Sequence, residues 1–253
     1  MINWNKYFDR IYCIHYLPQK NKLSRLFKEL YRVGLSSNYI FNMRYTCPSP
    51  YDKIIFEKYR DRILCPSLGF VNICLEVRRI LFEALEFGYK RIMLLEDDLA
   101  FLKDKNDMVR ILDAIPNGYD IIQFDKLVTN NGWMKQSWDF RNEHCVINDY
   151  FIDASGTCFT SAGCIGLSRH GIEGMLKKMD EVICATDVAP LLMKNFKYAV
   201  AKKNLAIQVL YAGSNTEQSI PINYMHDGYM NSGIDYSEYN VPYGYGYGKA
   251  YEG

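Results

Sequence analysis

The chain has 253 residues, a formal net charge of +1 at pH 7 and 49% hydrophobic residues. That suits one large α/β domain with a substantial core, and it leaves no basic footprint for nucleic acid. The first ten residues lack a secretory apolar segment, and no apolar run approaches the length of a membrane span. The expectation is therefore a cytoplasmic protein, with peripheral attachment at the inner face of a membrane left open. The 8 cysteines show neither a CxxC pair nor metal-knuckle spacing, so reduced thiols are expected.

Ile11 to Leu17 reads as a first buried strand, ended by Pro18 and a polar segment. Leu23, Leu26, Phe27, Leu30 and Val33 recur at helical spacing, and Gly34 supplies the stop. In such a β-loop-α opening a ligand sits at the carboxyl ends of the strands, so the loop after strand one is a candidate site. Tyr39 to Tyr45 reads as a second strand, and Cys47 to Pro50 as a loop. A long helix from about Gly69 to Phe87 carries the apolar stripe Cys74, Val77, Leu81, Ala84 and Leu85.

The run Arg91 to Leu95, preceded by the helix-stop glycine Gly88, reads as an interior strand of a parallel sheet. It ends in Glu96, Asp97 and Asp98. Three adjacent carboxylates repel one another and lose hydration, which calls for a compensating cation. Alternation along an extended backbone would send Glu96 and Asp98 one way and Asp97 the other. Hard divalent ions take one or two such carboxylates with phosphate oxygens. The plainer alternative is a helix cap beside a surface ion pair.

Asp107 to Ile115 reads as a helix closed by Pro116-Asn117-Gly118, and Tyr119 to Phe124 as the next strand. Asp125 to Asp149 shows no pattern and is expected to be a long functional loop. Ala162 to Ser168 reads as a strand whose Gly163 and Gly166 admit a close ligand or mark a bulge. A helix follows from about His170 to Met179, another opens at Thr186 or Asp187, and Ala206 to Val209 precedes a tail rich in Tyr, Gly and Asn.

Taken in order, these segments resemble the family 25 glycosyltransferases. Phe8 to Leu17 with Arg25 is similar to the family's opening "vyvINL" strand and the arginine after it. Leu94 to Asp98 matches "lilEDD", Ala162 to Leu176 is similar to "aYviSr.gA..lL", Asp187 falls at "pvD", and Gln208 with Ser214 or Ser219 is similar to a closing "Q…S" element. The blocks span about residues 8 to 220. The chain departs from the family at His15, where Asn is usual, near Glu76 and Val77, where Ser-His is usual, and at Gly171-Ile172.

The resemblance implies a GT-A fold, a mostly parallel central sheet flanked by helices, in one domain over 1–253. About 1–125 would bind the nucleotide sugar, 126–220 the acceptor, and 221–253 would form a tail or lid. It implies inverting transfer of a hexose, galactose favoured, from a UDP-sugar to a glycan or glycolipid acceptor such as a surface polysaccharide or lipooligosaccharide. Mn²⁺ or Mg²⁺ would bind at Asp98 and His226, with Glu96 or Asp97 at the ribose or a second metal position. Asp187 would be the general base, with Asp153 or Asp125 next in line. His15, Arg25 and Gln208 would lie on the donor side, with Lys22 able to approach the diphosphate. Each has a plainer counterpart: a buried histidine at His15, solvated cations at Lys22 and Arg25, a helix cap at Asp187, a surface histidine at His226. The departures also admit a binding protein for nucleotide sugars or glycans that has kept the fold and lost turnover.

Overall fold

The computed structural model describes residues 2–17, 22–47, 49–58, 63–64, 68–128, 132–159, 161, 163–181, 183–184, 192–193 and 195–208. Here the apolar runs become strands and the amphipathic runs helices. The chain opens with β1 (Arg10–Tyr16), α1 (Leu23–Arg32), β2 (Phe41–Thr46), α2 (Pro50–Lys58), β3 (Ile63–Leu64) and α3 (Leu68–Glu86). Then come β4 (Arg91–Glu96), β5 (Leu99–Phe101), α4 (Lys105–Asp113), β6 (Ile121–Gln123), α5 (Gly132–His144) and β7 (Phe151–Asp153). β8 (Cys164–Ser168), α6 (Arg169–Glu181), β9 (Ile183–Cys184), β10 (Tyr198–Ala201) and β11 (Ala206–Gln208) complete it.

Two glycines stop their helices as expected. Gly34 and Gly88 sit at φ 76° and 71°, a left-handed conformation that only glycine adopts without a steric penalty. The next residue's N–H then reaches back past the helix end, Leu35 to Leu30 O at 2.8 Å and Tyr89 to Ala84 O at 3.0 Å.

The main sheet has seven strands in the order β2-β1-β4-β8-β6-β10-β7. β1 is parallel to β2 and β4, and β6 to β10, while β8 runs antiparallel between β4 and β6 and β7 antiparallel on β10. Alternation sends Ile11, Cys13, Met93 and Leu95 to one face, against Leu26 and Leu30 of α1 and Met108 and Ile111 of α4. Tyr12, Ile14, Ile92 and Leu94 face the other side, with Val77 and Leu81 of α3 and Ile172 and Met175 of α6. Burial on both faces is why β1 and β4 read as unbroken apolar runs. It also makes the sheet the rigid base of everything at its ends, since each buried aliphatic side chain contributes roughly 1.5–3 kcal/mol.

Three expectations need correction. The stretch from Asp125 to Asp149 is not one long loop, because α5 forms within it. Among the described side chains of α5 only Met134 and Trp138 are buried, one turn apart, so no apolar stripe announces the helix. α4 begins at Lys105, where Asp104 accepts from Asn106 N at 2.8 Å as N-cap. Pro50 opens α2 rather than closing a loop, a position where its missing N–H costs nothing.

Asp187 with its helix start, His226 and the tail beyond Gln208 lie outside the described residues. Among the described residues, no helix is long and apolar enough to cross a membrane, and Cys13, Cys47, Cys74, Cys145, Cys158 and Cys164 are not in disulfides.

Candidate functional site

At one edge of the sheet β1, β4, β6 and β10 end and β8 begins. β4 stops at Glu96, and the chain turns through Asp97 and Asp98 into β5. The alternation expected of the three acids therefore fails after the first. Ile14 is level with Glu96 across the β1·β4 pair, so the residues after Ile14 meet Asp97. His15 Nδ1 lies 2.7 Å from Asp97 Oδ2, and Tyr16 N donates to the same oxygen at 3.2 Å. Lys22 Nζ, at the start of α1, donates to Asp97 Oδ1 at 3.1 Å and Asp98 Oδ2 at 3.4 Å. Asp97 and Asp98 thus turn toward one lysine, while Glu96 accepts from Gln208 Nε2.

The pairing is buried: Asp97 is 5% exposed and Lys22 3%. Burial alone would lower the Lys22 pKa, but the Asp98 and Asp97 carboxylates outweigh it and hold the ammonium above its ordinary value. For Asp98, burial pushes the carboxyl up; Lys22 opposes this, Asp97 adds to it, and the net shift is upward. Two buried atoms of this cluster find no protein partner, His15 Nε2 and Asp98 Oδ1. Beside the Asp97 carboxylate, Nδ1 is the donating nitrogen of His15, and Nε2 is left without a protein partner. A buried polar group without a partner costs about 1–3 kcal/mol.

A second polar network adjoins the first. Gln208 sits opposite Leu99 in the β5·β11 pair, which carries its amide to Glu96. Ser161 Oγ lies 2.5 Å from Asp125 Oδ2 and 3.1 Å from Gln208 Oε1, and Asn204 Nδ2 donates to Asp125 Oδ1 at 3.2 Å. The fully buried Lys126 donates to Asn204 Oδ1 at 2.9 Å and Lys202 O at 2.8 Å, 4.5 Å above the Trp138 ring. Burial lowers its pKa to about 7, with Asp125 pulling the other way. Gln123 Nε2, donating to Asp125 O at 2.7 Å and Phe159 O at 3.2 Å, holds the crossing loop in place. Ser161 adopts φ 85° there, the strained backbone often found at functional sites.

Gly163 lies beneath this network. A Cβ on it would stand 2.6 Å from Asp125 Oδ2, 2.8 Å from Leu99 Cδ2 and 2.9 Å from Gln208 Cγ. Gly166 likewise packs against the rings of Phe124 and Phe8. Close side-chain packing accounts for both glycines.

Of the residues expected at the site, His15, Glu96, Asp97, Asp98 and Gln208 come together, and Arg25 is half-buried on the first turn of α1 beside them in the chain. Asp153 does not join them. β7 runs against β10 with Asp153 level with Ala199, so it lies toward the opposite edge, bonded to Tyr119 Oη at 3.0 Å. Glu76 bonds Arg44 Nε at 2.8 Å and Arg79 at 3.0 Å, a structural pairing where the resembled family carries Ser-His. Sequence reasoning missed Lys22 as the acids' partner and the group Lys126, Ser161 and Asn204. One signal was available: Phe124-Asp125-Lys126 ends a buried strand in charges, just as Glu96-Asp97-Asp98 does.

Among the described residues no three His, Cys, Asp or Glu side chains are grouped to hold a metal ion. The site does offer a hard cation the buried, unpartnered Asp98 Oδ1. A single carboxylate completed by phosphate oxygens is a normal protein contribution for Mg²⁺, so Asp98 fits that role.

No protein-family model matches the chain, and no curated protein sequence does either. Solved structures similar to it include a glycosyltransferase involved in the glycosylation of the major capsid of PBCV-1, at 11% identity, covering 82% of this chain and 96% of that one with a TM-score of 0.40. Mouse xyloside xylosyltransferase 1 aligns at 10% identity over 73% of this chain and 80% of its own, TM-score 0.37. The galactosyltransferase LgtC, solved in complex with donor and acceptor sugar analogs, aligns at 12% identity over 75% and 72%, TM-score 0.37. At these values the likenesses assign no activity. The mixed α/β architecture stands on the sheet itself.

Proposed function

We propose that the chain is a metal-dependent glycosyltransferase of GT-A type, transferring a hexose with inversion from a UDP-sugar, galactose favoured, to a glycan acceptor. The observation that carries this reading is the acid cluster after β4, at the carboxyl edge of a parallel pair of strands, with Asp98 Oδ1 buried and unpartnered. Mn²⁺ or Mg²⁺, held by Asp98 with His226, would supply Lewis acidity to the diphosphate leaving group. Glu96, oriented by Gln208, faces the donor ribose. Asp97 keeps the turn in place through His15, Tyr16 N and Lys22, and Arg25 faces the phosphates. Asp187 takes the proton of the attacking hydroxyl. A polysaccharide or lipooligosaccharide acceptor would bring the enzyme to the inner face of a membrane.

Calorimetry with UDP-galactose and UDP-glucose, with Mn²⁺ or chelator, tests this on the wild type and on Asp98→Ala. Binding should require the ion and be lost in the variant. Affinity unchanged by chelator and again by Asp98→Ala would sink the metal-diphosphate reading. Donor binding without transfer to any glycan of a broad acceptor panel would favour a binding protein.

A further inference from the structure

Lys22 is the cation that the acid cluster meets inside the protein. Its side chain is 4% exposed and bonds one oxygen each of Asp97 and Asp98, so water and salt screen the pair weakly. His15 and Tyr16 N hold the other oxygen of Asp97. Of the four oxygens of Asp97 and Asp98, Asp98 Oδ1 alone is left for another cation. Without Lys22 there would be three: Asp97 Oδ1 and both oxygens of Asp98.

One carboxylate oxygen, even with His226 added, is a poor site for a hard divalent ion, which needs about six ligands and dehydrates reluctantly. An ammonium on the same carboxylate repels the ion further. A nucleoside diphosphate reverses the balance, because its phosphate oxygens bring ligands and negative charge together. We propose that Lys22 keeps the acid cluster from holding a divalent ion by itself, so that the ion enters as its complex with the nucleoside diphosphate. The inference rests on the proposed donor chemistry. It makes Lys22 a positioning residue that sets the order of assembly, and it makes the binding of ion and nucleotide mutually dependent.

The test is Mn²⁺ binding by the full chain, read from the electron paramagnetic resonance of the free ion, with and without UDP. Wild type should bind Mn²⁺ at least about tenfold more tightly when UDP is present than when it is absent. Lys22→Gln and Lys22→Met should bind Mn²⁺ alone at least about tenfold more tightly than wild type and lose most of the UDP effect. Lys22→Arg, which keeps the charge, should retain the wild-type pattern. Wild-type Mn²⁺ affinity independent of UDP overturns the inference, a comparison that stands even where the substitutions unfold the protein. Unchanged or weaker Mn²⁺ binding in folded Lys22→Gln overturns it too. Tight UDP binding indifferent to Mn²⁺ removes the inference while leaving sugar transfer to be judged by product, whereas failure of any nucleotide to bind removes both.

Discussion

Lys126 makes one buried charge measurable. Its ammonium sits at the end of β6, bonded to Lys202 O and Asn204 Oδ1, facing Trp138 of α5, with Asp125 the adjacent acid. Burial holds its pKa at about 7, against 10.5 for an unperturbed lysine. Between those values the unfolded chain carries a proton that the folded protein has released, so stability should rise with pH through that window. Below the folded value both states are protonated, and the contribution is a constant penalty. One such group gives at most about 1.4 kcal/mol per pH unit. From about pH 7.5 to about pH 8.5 the gain should be roughly 1 kcal/mol, a urea midpoint shift of about 0.3 M for a slope of about 3 kcal/mol/M. Urea titrations of wild type and Lys126→Met at matched pH isolate this proton, because every other titrating group is common to both. Staying at or below about pH 8.5 limits the opposing effect of Cys13 and Cys164, whose thiols burial pushes up. Equal pH slopes in the two proteins would refute the reasoning, since Lys126 would then keep its proton in the folded state.

Two substitutions probe the rest of the site. Gly163→Ala must displace Asp125, Leu99 or Gln208, so it should cost about 1–3 kcal/mol in thermal unfolding and weaken donor binding; a variant as stable as wild type would mean the network yields freely. Asp187→Asn should spare donor affinity and lower transfer turnover roughly 10²- to 10⁴-fold. Near-normal transfer there would move the base to Asp125, the acid already at the site edge.

Much of the fold is legible because burial on both faces leaves a plain trace. β1 is buried and free of charge over Ile11 to Ile14 and β4 over Ile92 to Leu95, and the limit of β4 is sharp where charge begins at Glu96. Gly34 and Gly88 mark helix ends because their conformation excludes other residues. α5 escapes notice because, among its described side chains, only Met134 and Trp138 are buried, and β7 because three residues establish no period. The direction of β8 is equally hidden. Its residues are apolar whichever way it runs, and only its pairing between β4 and β6 makes it antiparallel.

For the site, the sequence by itself determined that carboxylates crowd the end of a buried strand and need a cation. Only the tertiary structure decided which cation and which oxygens. Lys22 lies 75 residues from Asp97, and no local pattern links them. The parallel register that sets Ile14 beside Glu96 brings His15 level with Asp97, and the start of α1 delivers Lys22 to both aspartates. The turn after Glu96 then leaves Asp98 Oδ1 without a partner. Composition over a few residues sets burial and extension; the pairing of charges depends on how distant segments align, which is settled only when the sheet closes.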